Sequence, residues 1–253
     1  LAEIGATAAL YGLIMNFAFG MNNGLALTVS RYFGAGDESG IRRAVGWMVT
    51  LSAVVSLVLT GCSLLGRDAL LTVLQVPAQA WGGAAAYLTV ILLGIPLTML
   101  YNMEAALLRA VGNSVTPLLF LLGSTVLNVA LDLLFILVLH WGVAGAATAT
   151  VLAQAIVTAM FLLAARREMT VFPQIHIFQA SQWRAWAEIL KIGLPVSIQS
   201  MFFSGLSMIL ARLVAGWGDA AIAAQKVGSQ IESISYTTAE GFATAVNAFI
   251  AQK

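Results

Sequence analysis

The sequence predicts an all-α polytopic membrane protein. Hydrophobic residues make up 60% of the 253 positions and charged residues 9%, whereas soluble domains carry roughly 25% charged residues. Several apolar runs reach the length of about 20 residues that a helix needs to cross a bilayer. These runs are continuously apolar rather than alternating, which disfavours a transmembrane β-barrel. Helices are also the spanning structure that satisfies each backbone polar group within one segment.

Charge and cysteine content exclude several functional classes. The net charge is +1 and no Lys/Arg-rich run is present, so we expect no nucleic-acid partner. Cys62 is the single cysteine and cannot form an intrachain disulfide. His140 and His176 have no other metal ligand at suitable spacing. No nucleophile elbow, Gly-rich phosphate loop or His-metal motif is found. We therefore expect no enzyme, metal or cofactor.

Seven segments qualify as membrane spans. Their predicted bounds are 5–30, 43–65, 82–108, 116–139, 142–165, 188–215 and 220–250. Pro96 and Pro195 fall inside two of them and should bend those helices, because proline removes a backbone hydrogen bond.

The distribution of Lys and Arg predicts the orientation of the spans, since cytoplasmic loops retain positive charge. Nine of the 12 basic residues fall on the side that contains the loops 31–42, 109–115 and 166–187. Three fall on the side of the turns 66–80, 140–142 and 216–219. The first side is therefore predicted to be cytoplasmic, and Leu1 would lie outside with one further span upstream.

The longest connection without an apolar run, 166–187, is the predicted boundary between two domains. It separates an N-terminal lobe, 1–165, from the start of a C-terminal lobe, 188–253. A shift of 221 residues aligns the first span with the last, which resemble each other as Gly/Ala-rich helices with a polar middle. A repeat of about six spans is typical of transporters built from two parallel halves, although two Ala/Gly-rich helices can also resemble each other by chance.

Charged residues inside the spans are the first candidates for function, because each is costly in the bilayer. Asp132 lies in an apolar helix about 26 Å from its inner end, and Asn128 is on the same face. A carboxyl group at that depth can gain and lose a proton when its access to water changes, although a structural role remains open. Glu104 is expected to form a local ion pair with Arg109 rather than to bind a ligand.

The last span carries a polar stripe with a spacing of three or four residues, which should not face lipid. We expect it to face a cavity between lobes, or to pack against a helix through hydrogen bonds. Its members are Gln225, Ser229, Glu232, Tyr236, Glu240, Thr244 and Asn247.

Six segments resemble multidrug and toxic compound extrusion (MATE) exporters in the correct order. They match the loops after the second and fourth helices, helices five and six, the start of helix seven, and helix eight. The segments are RYFGAGD at 31–37, LLRAVGN at 107–113, NVALD at 128–132, GVAGAATAT at 142–150, GLP at 193–195 and GSQIES at 228–233.

The resemblance implies helices two to eight of a MATE-like bundle with two lobes and twelve helices. Such exporters sit in the plasma (inner) membrane and exchange a small organic compound, often an amphipathic cation, for protons or sodium. An aspartate on helix five couples the proton in one branch, and Asp132 matches it, with Asn128, Thr150 and Tyr87 joining its polar network. The sodium branch often carries a glutamate on helix seven, whereas 195–200 here reads PVSIQS. Glu232, Tyr236 and Glu240 are the candidate substrate-binding residues.

Three alternatives stay open at this stage. The GAGD sequence at 34–37 spells the motif of intramembrane aspartyl proteases, but its flanking charges indicate a loop. A flippase for lipid-linked sugars shares a related fold but should line its cavity with basic residues. The chain by itself could also be a membrane scaffold that does not transport.

Overall fold

A computed structural model of the protein describes residues 2–73, 81–168, 183–215, 217 and 219–251, apart from some side chains within the helices. The described part consists of helices joined by short turns. Their bounds are α1 Ala2–Gly34, α2 Glu38–Leu65, α3 Arg67–Val73, α4 Trp81–Leu93, α5 Ile95–Ala110, α6 Val115–Asp132, α7 Gly142–Glu168, α8 Trp183–Ala215 and α9 Asp219–Ala251. A π-helical segment, Leu133–Val138, continues α6.

Within the described residues, three helical stretches are long and apolar enough to cross a membrane by length and composition: Glu38–Leu65, Val115–Val138 and Gly142–Leu163. A fourth candidate is the pair α4 and α5, taken as one broken span. The other three predicted spans coincide with α1, α8 and α9, each 33 residues long. Each predicted span therefore corresponds to a helix or to a pair of adjoining helices.

The span predicted at 82–108 is bent by 44° between α4 and α5. The break lies at Gly94, and Pro96 occupies the first turn of α5. Proline has no N–H and its ring crowds the preceding turn, so the predicted bend is confirmed. A side chain at Gly94 would also collide with Val151 on α7, since an added Cβ would overlap the Val151 Cγ2. In α8, the helix runs through Pro195.

Asp37 caps the start of α2. Its carboxylate accepts hydrogen bonds from the Gly40 amide at 2.9 Å and the Ser39 hydroxyl at 2.7 Å. These two bonds hold the pKa of Asp37 below its usual range. The aspartate of the GAGD motif is thus a helix cap in a turn, which is not the position a protease would require.

The core of the bundle forms where α1, α2 and α5 meet. Met21, Leu25, Met48 and Met103 are nearly inaccessible to solvent in this cluster. A second apolar cluster joins α1 to α3, α4 and α5 around Leu88. These contacts place α5 at the centre of the predicted N-terminal lobe, with α7 on its other side.

Close packing of α1 against α8 joins the predicted N-terminal lobe to the start of the C-terminal lobe. A Cβ at Gly20 would lie 2.8 Å from the Ser197 Cα, and one at Gly193 would lie 3.1 Å from the Met21 sulfur. Small residues let membrane helices approach this closely. Helix α7 continues to Glu168 and α8 begins at Trp183, so both ends of the predicted linker 166–187 are helical. Residues 169–182 lie outside the described part.

Candidate ion-coupling and substrate sites

Helices α6 and α7 bring two of the predicted ion-coupling residues into contact. The Asn128 side-chain amide donates to the Thr150 hydroxyl oxygen at 3.3 Å. The Thr150 hydroxyl in turn donates to the Ala146 carbonyl one turn earlier on α7, at 3.1 Å. Asn128 is partly buried, and we call this contact between α6 and α7 the polar seam.

Asp132 is the last residue of α6, one turn beyond Asn128. Its side chain is partly buried, and Oδ1 is shielded from solvent without a hydrogen-bond partner among the described residues. An ionised carboxylate in that position loses hydration without gaining a donor. The arrangement favours a group that holds a proton.

The backbone changes its hydrogen-bond pattern directly after Asp132. The Leu139 amide donates to the Leu134 carbonyl five residues earlier at 3.0 Å, as in a π-helix, and such segments are frequent at functional sites. Phe135 stacks on Trp141 at this end of the helix, with 5.0 Å between ring centroids. Sequence reasoning missed the segment because the apolar run 133–139 contains neither Gly nor Pro.

Helix α7 continues the polar seam beyond Thr150 at intervals of one turn. Gln154 accepts a hydrogen bond from the Thr98 hydroxyl of α5 at 2.5 Å. Thr158 is 3% exposed, and its hydroxyl has no partner within the described part of the chain. Sequence reasoning also missed these residues, although their spacing of four was a detectable signal. Tyr87 is partly buried on α4, which packs against α7.

The predicted substrate residues lie on α9. Glu232 and Tyr236 are exposed, and Tyr236 stacks on Phe203 of α8 with 5.0 Å between ring centroids. The side chain of Glu240 lies outside the described ones. At the far end of the stripe, Thr244 and Asn247 line a cavity of about 80 Å³ that α9 forms with α1, α5 and α8.

Glu104 and Arg109 do not form the predicted ion pair. Glu104 is 3% exposed, and its Oε1 has no partner among the described side chains. Arg109 instead donates to the Asn23 amide oxygen at 3.4 Å and borders the cavity that Thr244 and Asn247 line. Residues five apart on a helix point roughly 140° away from each other, so the two side chains face different neighbours.

Comparison with known families decides the identity of this bundle. The profile of the MatE family matches residues 1–134 and 195–253, which is more than half of the chain. The chain belongs to the MatE family. The predicted fold class, an all-α membrane bundle of the MATE type, is confirmed.

Relatives of this MatE chain carry names of drug-resistance proteins. It is 30% identical over 251 residues to the probable multidrug resistance protein YpnP of Bacillus subtilis, covering 99% of this chain and 56% of that protein. It is 24% identical over 257 residues to the probable multidrug resistance protein NorM of Thermotoga maritima, covering 99% and 54%. The crystal structure of a MATE protein in its straight conformation superposes with a TM-score of 0.88 at 26% identity, covering 99% and 57%.

The MatE chain thus spans about half the length of the curated relatives it matches.

Proposed function

We propose that the protein to which this MatE chain contributes is a secondary active exporter in the plasma (inner) membrane. It exchanges an amphipathic organic cation for protons by alternating access, and Asp132 is the ion-coupling residue. The observation that carries the proposal is the solvent-shielded Asp132 Oδ1 without a partner, next to the Asn128–Thr150 contact and the π-helical segment. The names of the multidrug relatives support export of small organic compounds.

Proton binding at Asp132 can drive transport only if it changes the balance between two states of the lobes. Neutralising the carboxyl removes the cost of a buried charge. The π-helical segment that follows offers a part of the backbone that can repack, because its hydrogen bonds are less regular than those of an α-helix. Asn128 lies one turn before Asp132 and is hydrogen-bonded to Thr150. A change of backbone position at Asp132 would therefore act on α7 through this hydrogen bond.

The preference for a cationic substrate rests on α9. Glu232 places a carboxylate on the exposed face of that helix, and Tyr236 adds an aromatic face there. Carboxylates attract a cation strongly in a low-dielectric cavity, and an aromatic face adds a cation–π contact. Glu240 extends the same stripe along the sequence.

The test uses the intact protein in liposomes, with ethidium as the amphipathic cation. Asp132→Asn keeps nearly the same volume and should abolish ethidium export driven by a pH gradient, while insertion into the membrane is unchanged. Asp68→Asn is the matched control, because Asp68 is an exposed carboxylate that pairs with Arg67 at 2.9 Å. The control should export at the wild-type rate.

Three results would contradict the proposal. Asp132→Asn could retain the normal export rate and pH dependence, which would reduce Asp132 to a structural residue. Export could follow a sodium gradient and ignore the pH gradient. The intact protein could also carry anionic dyes and leave ethidium untouched, which would remove the argument from the α9 carboxylates.

A further inference from the structure

A second buried carboxyl group lies in the N-terminal lobe, far from Asp132. Glu104 sits on α5, the central helix, and is 3% exposed. It lines a small cavity with Pro117 and Phe120 from the start of α6. Phe120 and Asp132 are separated by twelve residues, or about 18 Å along the helix. The two carboxyl groups therefore occupy different ends of the same bundle.

The cavity beside Glu104 is lined mainly by apolar side chains. Phe120 of α6 and Phe161 of α7 meet edge to face, with 5.5 Å between their ring centroids. Val157 of α7 and Tyr101 of α5 complete much of the wall. The volume is about 10 Å³, which is close to the minimum for a single water molecule.

No described group compensates a negative charge at Glu104. Its Oε1 has no hydrogen-bond donor, and no basic side chain forms an ion pair with it within the described residues. Arg109 on the same helix is engaged with Asn23. Tyr101 is the other titratable group in the described wall, since α6 and α7 contribute apolar residues and α1, α2, α4 and α9 contribute none.

Glu104 could be a bare carboxylate, a metal ligand or a protonated acid, and the first two of these states are unfavourable. A bare carboxylate without a partner costs several kcal/mol in a buried site. A metal cation needs about six oxygen ligands, whereas the described wall offers side-chain oxygens from Glu104 and Tyr101 alone, with space for about one water. No group of three or more His, Cys, Asp or Glu side chains occurs among the described residues either. A proton is the ligand that fits.

We infer that Glu104 is a second proton-binding site of the N-terminal lobe, a neutral carboxylic acid enclosed between α5, α6 and α7. The inference does not rest on the direction or substrate of transport. Gln154 and Thr158 follow Thr150 on α7 at intervals of one turn. Thr158 is next to Val157, which lines the Glu104 cavity. Glu104 thus lies near one end of the polar seam, with Asp132 near the other.

Infrared spectroscopy of the intact protein tests this site directly. At neutral pH, the wild type should show the carbonyl stretch of a protonated carboxylic acid, and part of that band should disappear in Glu104→Gln. The same part should persist in Asp132→Asn, which separates this site from the proposed coupling residue. Glu38→Gln is the control, because Glu38 is an exposed carboxylate paired with Arg42 at 3.4 Å and should leave the band unchanged.

A measurement without mutation protects the test if Glu104→Gln fails to fold. Wild-type protein that contains glutamate labelled with ¹³C at the side-chain carboxyl should shift a protonated-acid band at neutral pH. Absence of any such shift would overturn the inference. A folded Glu104→Gln variant whose protonated-acid band equals that of the wild type would overturn it as well.

Discussion

At the scale of single residues, Asn22 shows how the bundle satisfies a buried amide. Asn22 is 1% exposed on α1. Its amide nitrogen donates to the Met99 carbonyl of α5 at 3.2 Å, and its oxygen accepts from the Ser52 hydroxyl of α2 at 2.9 Å. One side chain thereby ties together the three helices of the central core. The Met99 carbonyl oxygen can accept this bond within α5 because it has two lone pairs.

Removing one partner of this network should be costly. Ser52→Ala leaves the Asn22 oxygen buried without its donor, and an unsatisfied buried group costs about 1–3 kcal/mol. We expect the free energy of unfolding of the purified intact protein to fall by that amount in detergent. Ser233→Ala is the control, since the Ser233 hydroxyl is exposed on α9 and donates within its own helix. Equal stability of the two variants would refute the role of Ser52.

Residue-level predictions from the sequence succeeded where two polar groups lie on helices that must pack together. The resemblance placed Asn128 and Thr150 in one network, and the structure brings them within 3.3 Å. The Glu104–Arg109 pair was wrong because proximity along the chain does not place two side chains on the same helix face. Whether Asp132 couples a proton stays a prediction.

At the scale of elements, close contacts between helices depend on single glycines. Both Gly12 and Gly20 lie on α1, but their surroundings differ. A Cβ at Gly20 would approach the backbone of Ser197 to 2.8 Å, whereas one at Gly12 would meet nothing within 4 Å. Backbone atoms cannot move aside as a flexible side chain can, so α1 and α8 would have to separate.

This difference gives a matched pair of variants. Gly12→Ala should leave stability unchanged or raise it by up to about 1 kcal/mol, because alanine favours the helix over glycine. Gly20→Ala gains the same propensity but should lower the unfolding temperature of the intact protein, since overpacking typically costs about 1–3 kcal/mol. Thermal unfolding in detergent measures both. A rise in unfolding temperature for Gly20→Ala would contradict the packing of α1 against α8.

Element predictions depended on whether a backbone feature has a marker in the sequence. Pro96 predicted the bend between α4 and α5. The π-helical segment at Leu133–Val138 has no such marker, because it consists of ordinary apolar residues. It lies where α6 is followed by α7, and there a Cβ added at Gly145 would lie 3.0 Å from the Trp141 Cβ and 3.2 Å from the Phe135 Cβ.

At the scale of the whole molecule, orientation in the membrane is the property that the sequence predicts most directly. The turn after α5 follows Arg109, and the turn between the π-helical segment and α7 contains His140. The basic loops of a membrane protein stay on the cytoplasmic side. The turn at 111–114 should therefore lie inside, and the turn at 139–141 outside.

Cysteine labelling of intact cells checks this orientation. In a Cys62→Ser background, His140→Cys should react with a membrane-impermeant maleimide, and Asn113→Cys should react only after the membrane is permeabilised. Both positions are exposed in turns, so accessibility to the reagent is comparable. Labelling of Asn113→Cys from outside with protection of His140→Cys would reverse the predicted orientation.

The amino-acid sequence by itself determined that the helices lie in a membrane, where they run along the chain, and which family the chain resembles. Long apolar runs specify membrane helices because the bilayer leaves no alternative for the backbone polar groups, and the order of six short segments indicated the MATE family. The tertiary structure alone decided which polar groups meet. Residues 30 or more positions apart meet in the Asn22–Ser52 and Thr98–Gln154 hydrogen bonds. The burial of Glu104 depends on three helices at once. Periodicity along one helix reports which face a residue occupies, but the neighbour on that face is set by the packing of the others.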